Sequence, residues 1–262
     1  MRRRLDAEMV RRGLVDSRAR AVEAVAAGRV LVGGAPAQTP ARHVAADEAI
    51  TVSGAPPLYV SRGGQKRAAA LAAVPVTGAG LRALDAGAST GGFTDCLLQH
   101  GAAEVVAVDV GRGQLSWRLQ TDARVRALDR VNVRNLVADD IGGAVDLAVA
   151  DLSFISLLTV APALARCTTR GAHLVLLIKP QFEAGRARVG KGGIVRDPAV
   201  HRDVLVDVAT GLAAQGLPVV GAVASPIMGA DGNREFLVHV SRAERAVDVA
   251  RLLEVVAGEP AA

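Results

Sequence analysis

Apolar residues first fall at helical spacing at Leu5, Met9, Val10 and Leu14, as one buried face of a helix requires. Gly13 is placed to end that helix, because glycine accepts the left-handed backbone of a helix stop. A second helix is expected from a cap at Asp16 or Ser17 to about Ala27, with Val22 and Ala26 facing inward and Gly28 closing it. Val30-Leu31-Val32, the turn Gly33-Gly34 and a further extended stretch predict a hairpin, and residues 47–52 another short strand. Residues 54–58 hold two prolines and read as a connector. A helix over 65–73 follows, and then the pattern changes. Strands are expected at 83–85, 104–110 and 123–128 and, as nearly continuous apolar runs, at 144–150 and 173–178, alternating with helical segments, among them 198–214. All-apolar strands between helices predict a parallel sheet covered on both faces. The late runs 219–224 and 236–240 predict an antiparallel edge, and 244–256 a last helix.

The chain thus divides into a small α+β module over 1–54, a linker over 55–62 and an α/β domain over 63–258. Charge sharpens the division. Residues 1–66 hold ten Arg and one Lys against six acids, whereas the other residues balance. A basic module on a neutral one suits a polyanionic partner. Cys96 and Cys167 stand alone in apolar segments, which fits reduced core thiols and no metal. No apolar run approaches the ~18 residues of a spanning helix. The arginines at the N-terminus are followed by no apolar stretch, so a cytoplasmic protein without a membrane partner is expected.

The run from Asp85 to Phe93 sits where a strand turns into a helix, and ligands of open parallel sheets bind there. Gly87, Gly91 and Gly92 allow close backbone approach, and Ser89, Thr90 and Phe93 complete the loop. The dinucleotide glycine fingerprint is out of register, and no phosphate-loop lysine follows. The loop opens instead on a carboxylate. Asp85 suits a cationic amino-acid ligand, and S-adenosylmethionine carries both an ammonium and a sulfonium. Asp109 ends the next strand, 22 residues after Gly87, where a carboxylate can accept from ribose hydroxyls. Asp129 closes the third strand and is placed to face the adenine.

Lysine is rare: three against 28 arginines. Lys66, Lys179 and Lys191 therefore stand out, since only lysine can shed its proton when desolvated or crowded by another cation. Lys179 ends an apolar strand. Asp151 ends another, and Glu235 begins the last. These groups can converge over one crevice.

These residues carry a family resemblance over nearly the whole chain. Arg4-Leu5-Asp6, Gly13-Leu14, Ser17-Arg18 and Gly28-Arg29-Val30 resemble the alpha-L RNA-binding domain. Residues 61–66, 85–93, 150–154 and 179–183 resemble successive motifs of the TlyA-type (haemolysin A-like) ribosomal RNA 2′-O-methyltransferases, whose catalytic domain is similar to FtsJ-type enzymes. The resemblance implies a Rossmann-like S-adenosylmethionine-dependent methyltransferase sheet acting on ribosomal RNA or ribosomal subunits. It also implies a Lys-Asp-Lys-Glu tetrad at Lys66, Asp151, Lys179 and Glu235. Lys179 would contact the acceptor hydroxyl, either taking its proton or stabilising the developing alkoxide. The base role requires a neutral lysine, and lowering a lysine pKa from 10.4 to near 7 costs roughly 4–5 kcal/mol.

Arg3, Arg4, Arg11, Arg12, Arg18 and Arg20 are expected to form a basic face for RNA. Arg18 and Arg20 lie in the first turn of a helix, where a phosphate would offset the cost of a cation. Only six aromatics occur, so recognition of shape and phosphate is expected rather than base stacking. A monomer is the expected state. Two other functions compete. One is a non-catalytic RNA-binding assembly factor. The other is a membrane-active haemolysin, which no amphipathic or spanning segment supports.

Overall fold

The computed structural model describes residues 2–15, 17–53, 79–229, 232–244 and 246–248. The N-terminal module contains β1 (Arg3–Arg4), α1 (Leu5–Arg11), α2 (Arg18–Ala26), β2 (Val30–Val32), β3 (Ala35–Pro36), β4 (His43–Val44) and β5 (Ile50–Val52). α1 stops short of Leu14 because Gly13 takes φ +68° and the Leu14 N–H donates back to the Met9 carbonyl, a glycine-stopped helix end. Ser17 is the cap of α2, its hydroxyl accepting from Arg20 N at 3.2 Å. Gly33 and Gly34 both take positive φ, as a two-residue hairpin requires. The expected inward face of α2 is displaced. Val22 is 43 % exposed and Ala26 is exposed as well, and α2 instead buries Ala21, Ala24 and Val25 against Leu5, Met9, Val30 and Val32. Spacings of three and four from Ala21 define that stripe, and Val22 falls beside it.

The larger sheet has seven strands in the order β11-β12-β10-β9-β6-β7-β8. They are β6 (Arg82–Ala86), β7 (Glu104–Asp109), β8 (Val125–Asp129), β9 (Val145–Ala150), β10 (Thr168–Ile178), β11 (Val219–Ala224) and β12 (Phe236–Ser241). β10, β9, β6, β7 and β8 run parallel, and β12 lies antiparallel between β10 and β11. Helices α3 (Gly92–Gln99), α4 (Trp117–Gln120), α5 (Leu157–Cys167), α6 (Pro180–Glu183) and α7 (Pro198–Ala214) join the strands. The five residues from Leu174 to Ile178 on β10 are at most 2 % exposed, each burial stabilising by about 1.5–3 kcal/mol.

The periodicity misses α5, whose Pro162 lies inside the helix and normally breaks a helical pattern. Leu157, Val160, Ala161 and Leu164 nevertheless form its buried face. β10 begins at Thr168, earlier than expected, and its pairing with β9 shifts register before His173. Residues 244 and 246–248 are not helical, and the rest of the expected 244–256 helix lies outside the described residues, as does the 65–73 helix.

β6 pairs with β7 on one side and β9 on the other. The chain winds outward from β6 in one direction and resumes at β9 in the other. That reversal opens a crevice at the carboxyl ends of the strands.

Candidate functional site

The crevice is built around the loop after β6. A cavity of about 490 Å³ is lined there by Gly87, Ser89, Asp109, Gln114, Asn132 and Asp151, among others. Gly87 takes φ +84°, and a Cβ on it would lie 2.6 Å from the Asp151 carbonyl oxygen. Its bare backbone therefore lets the β6 and β9 loops meet. Gly91, the cap of α3 at φ +92°, would collide with Leu119. These glycines make room for protein neighbours as much as for a ligand.

Asp109 accepts Ser89 N at 2.8 Å on one oxygen and Gly111 N at 2.7 Å on the other. Asp109 lines the cavity and each of its oxygens can accept a further hydrogen bond, as ribose hydroxyls would require. Asp85 is fully buried. One of its oxygens accepts both Thr94 N, at 2.9 Å, and Thr94 Oγ1, at 2.7 Å. It ties the strand end to α3 and does not line the cavity. Thr90, Gly91, Gly92, Phe93 and Asp129 do not line it either. Phe93 is core, and Asp129 accepts Gly113 N at 2.7 Å. Gln114 and Asn132, which no periodicity marks, do line it, from the loops after β7 and β8.

A second cavity of about 290 Å³ adjoins the first, sharing Ser153 and Phe154. Lys179 lines it from the end of β10, and Glu235 from the start of β12. Antiparallel pairing of Ile178 with Phe236 brings those two ends together. Lys179 Nζ lies 2.7 Å from Asp151 Oδ1 and donates to Ser153 Oγ at 3.0 Å. Glu235 is 3 % exposed, and a Cβ on Gly229 would touch its Oε1 at 2.6 Å. Lys66 lies outside the described residues. Thus Asp151, Lys179 and Glu235 gather at one strand edge. Lys191 is exposed on the 185–193 loop, which Asn233 pins by donating to the Gly193 carbonyl at 2.9 Å and accepting Val195 N at 3.0 Å.

Phe154 lies in the 150–154 motif, but the sequence assigns it no role. It takes φ +64° and is 89 % exposed, with its ring 5.2 Å from that of Phe182. Left-handed backbone in such a residue costs about 1–2 kcal/mol. Glu183, on α6, accepts from Ser156 Oγ at 2.6 Å and Leu157 N at 2.8 Å. It clamps the loop bearing Ser153 and Phe154 to the element bearing Lys179. Burial pushes the Glu183 carboxyl above its ordinary range.

In the N-terminal module the arginines divide into two kinds. Arg3 and Arg18 are exposed, and Arg20 is half-buried. Arg4 and Arg18 both meet Asp6 at 2.9 Å, so a carboxylate already serves the first turn of α2. These two guanidiniums hold the Asp6 carboxyl well below its usual range. Arg11 and Arg12 pair with buried Glu8, at 2.6 and 2.8 Å, and lower its pKa to about 2. Arg12 also donates to the carbonyls of Ala45, Ala46 and Glu48. It is a strut of the module and not part of an open basic face. Arg20 lies 3.2 Å from Glu23.

Among the described residues no cluster of three ligands could hold a metal, and no helix is long and apolar enough to cross a membrane. A parallel sheet with one antiparallel strand, a carboxylate-backed glycine loop at its switch point and a lysine at an adjacent strand end define an α/β methyltransferase with an appended small module. The chain belongs to the FtsJ-like methyltransferase family, whose model matches residues 59–242, and an S4 domain matches residues 3–50. It is 49 % identical over 257 residues to the 16S/23S rRNA (cytidine-2′-O)-methyltransferase TlyA of Mycobacterium tuberculosis, covering 97 % of this chain and 96 % of that one. It is 38 % identical to Hemolysin A of Brachyspira hyodysenteriae, over 90 % and 98 % of the two chains. A solved chain from Streptococcus thermophilus that carries a hemolysin name superposes with a TM-score of 0.78 at 39 % identity, covering 98 % and 94 %. The cofactor of this family is S-adenosylmethionine, and the first cavity fits it: the Gly87 cradle and the ribose-type acceptor Asp109 are both present.

Proposed function

We propose that the protein methylates the ribose 2′-hydroxyl of a cytidine in ribosomal RNA, in the cytoplasm. The observation that carries this reading is Lys179, fixed between Asp151 and Ser153 where the cofactor cavity meets a second, acceptor-sized one. When bound, S-adenosylmethionine supplies a methyl group already activated by its sulfonium. The chain's own task is then alignment and charge. Gly87, Ser89 and Asp109 hold the cofactor side. Lys179, paired with the Asp151 carboxylate, donates to the acceptor oxygen and stabilises the charge it gains as its proton passes to solvent water. Glu235 flanks the amine and limits its orientation. Ser153, which borders both cavities, accepts from Lys179 Nζ and so helps to hold it in place.

The exposed arginines of the S4 domain, Arg3 and Arg18 first, meet RNA phosphates, with Arg4, Arg11 and Arg20 adding their outer edges. Phe154 offers an apolar face beside the acceptor, and its strained backbone fits a residue held for a ligand.

Lys179→Ala should lower methyl transfer to rRNA by roughly a hundredfold or more while leaving cofactor affinity intact. Lys179→Arg separates the two roles left open by the sequence. Partial activity with an unchanged pH–rate profile supports the cation, because arginine cannot act as a base. An inactive arginine variant whose cofactor affinity is intact argues for proton abstraction by Lys179.

A further inference from the structure

Of the three lysines, Lys191 is the one that neither the cofactor cavity nor the tetrad uses. It lies on the stretch from Ala184 to Arg196, which carries four cations, Arg186, Arg188, Lys191 and Arg196, and no acid. Arg188 is committed. It lies 3.2 Å from Asp203 and 3.9 Å from Asp207 on α7, and it donates to the Ala184 carbonyl at 2.8 Å. Arg186, Lys191 and Arg196 are exposed, and none has an acidic partner among the described residues. The acids flanking the stretch are occupied. Glu183 holds Ser156 and Leu157, and Asp197 caps α7 by accepting Ala199 N at 2.8 Å.

The turn that bears Lys191 is held in place. Gly190 N donates to the Ile194 carbonyl and Gly193 N to the Gly190 carbonyl, each at 3.1 Å. Buried Asn233 ties the same turn to the chain just before β12. Arg196 folds back on it, since a Cβ on Gly190 would lie 3.8 Å from Arg196 Nη1. The guanidinium thus lies against the residue next to Lys191. Val189 and Gly193, on either side of this pair, line the acceptor cavity. Neighbouring cations without an acid repel each other, and an anion bound there removes that cost. An RNA strand with one ribose in the cavity carries a phosphate on each side of that ribose, so its backbone crosses this rim. We infer that Lys191 and Arg196 bind backbone phosphate beside the target ribose, an RNA contact made by the methyltransferase domain in addition to that of the S4 domain. The inference rests on the reading above. The two cations touch no reacting atom. They position the strand and carry no sequence preference of their own.

The test uses the full-length protein with 16S and 23S rRNA, both protein-free and as separated ribosomal subunits. Methyl transfer and filter binding are each measured at several salt concentrations. The double variant Lys191→Ala, Arg196→Ala should raise KM about tenfold and leave kcat within about twofold. The slope of log Kd against log salt should flatten by about one to two, because each lost cation frees one phosphate. The charge-conserving pair Lys191→Arg, Arg196→Lys should bind and turn over like the wild type, since phosphate accepts either cation. Cofactor affinity should be unchanged throughout, because neither residue lines the cofactor cavity.

An unchanged salt slope in the double alanine variant overturns the inference. So does a charge-conserving pair that fails as alanine does, which would mark a role in holding the loop. A loss confined to intact subunits, with protein-free rRNA bound normally, would assign the surface to an acidic ribosomal protein and overturn it as well. Should the double variant fail to fold, Lys191→Gln is read in the same way, with a slope change of about one. A wild type that binds rRNA but methylates none of it contradicts the underlying reading alone, and the filter-binding slopes still decide the role of the two cations.

Discussion

A methyl group added at Gly87 would meet the Asp151 carbonyl oxygen at 2.6 Å and sit on a backbone at φ +84°. That carbonyl is backbone and not a flexible side-chain end, so the clash cannot relax cheaply. Gly87→Ala should weaken S-adenosylmethionine binding by roughly tenfold or more, the equivalent of the 1–2 kcal/mol that left-handed strain alone costs. Calorimetry on the purified protein checks this, and wild-type affinity would show that the β6 and β9 loops need not meet. The glycine loop was legible in the sequence, but part of its reason was not. Spacing marks where backbone freedom is needed and cannot say that the neighbour is another loop. Asp85 follows the same logic. Its place in the motif was readable, yet its hydrogen bonds to Thr94 depend on how α3 folds back on β6. Lys179, Asp151 and Glu235 stood out because lysine is rare and strand ends are recognisable. Phe154 and Glu183 fall within motifs, but their roles were not readable, because backbone strain, burial and hydrogen bonding arise only in three dimensions.

At the scale of elements, α5 depends on a carboxylate from α6. Glu183 accepts both Leu157 N and the capping hydroxyl of Ser156, so Glu183→Ala should cost about 1–2 kcal/mol in urea unfolding. It should also lower kcat more than it alters cofactor affinity, because the clamped loop bears Ser153. The pH dependence has a definite sign. Burial raises the Glu183 carboxyl above its ordinary value. The folded state therefore keeps a proton that the unfolded chain has released. Its contribution is full below the ordinary carboxylate range and falls as pH rises through the folded value. Glu183→Gln should thus gain stability relative to wild type between about pH 4.5 and neutrality. A difference that stays flat across that range would contradict the assignment. Glu8 behaves oppositely. Paired with Arg11 and Arg12, it has its pKa lowered to about 2, so its contribution is present above the ordinary glutamate value and is lost as pH falls through about 2. The central sheet strands were legible because both faces are apolar. α5 was not, because Pro162 hid a helix whose start is secured from outside.

Across the whole molecule, the excess positive charge sits in the first quarter of the sequence, but charge count overstates the open basic face. Arg12 is committed to Glu8 and three carbonyls, and Arg4 and Arg18 share Asp6. Arg3→Ala should weaken rRNA binding and reduce the salt slope by about one, leaving thermal stability alone. Arg12→Ala should instead lower the melting temperature of the N-terminal module. Filter binding at several salt concentrations and a thermal melt distinguish the two. Equal effects of both variants on salt dependence would mean that Arg12 also faces RNA.

The most direct measurement is a nucleoside digest of 16S and 23S rRNA, and of separated ribosomal subunits, after incubation with the protein and labelled S-adenosylmethionine. The label should appear as 2′-O-methylcytidine with the wild type and be absent with a Lys179→Ala variant that still binds the cofactor. Label on a base, or no label on any rRNA from a protein that binds the cofactor, would contradict the account.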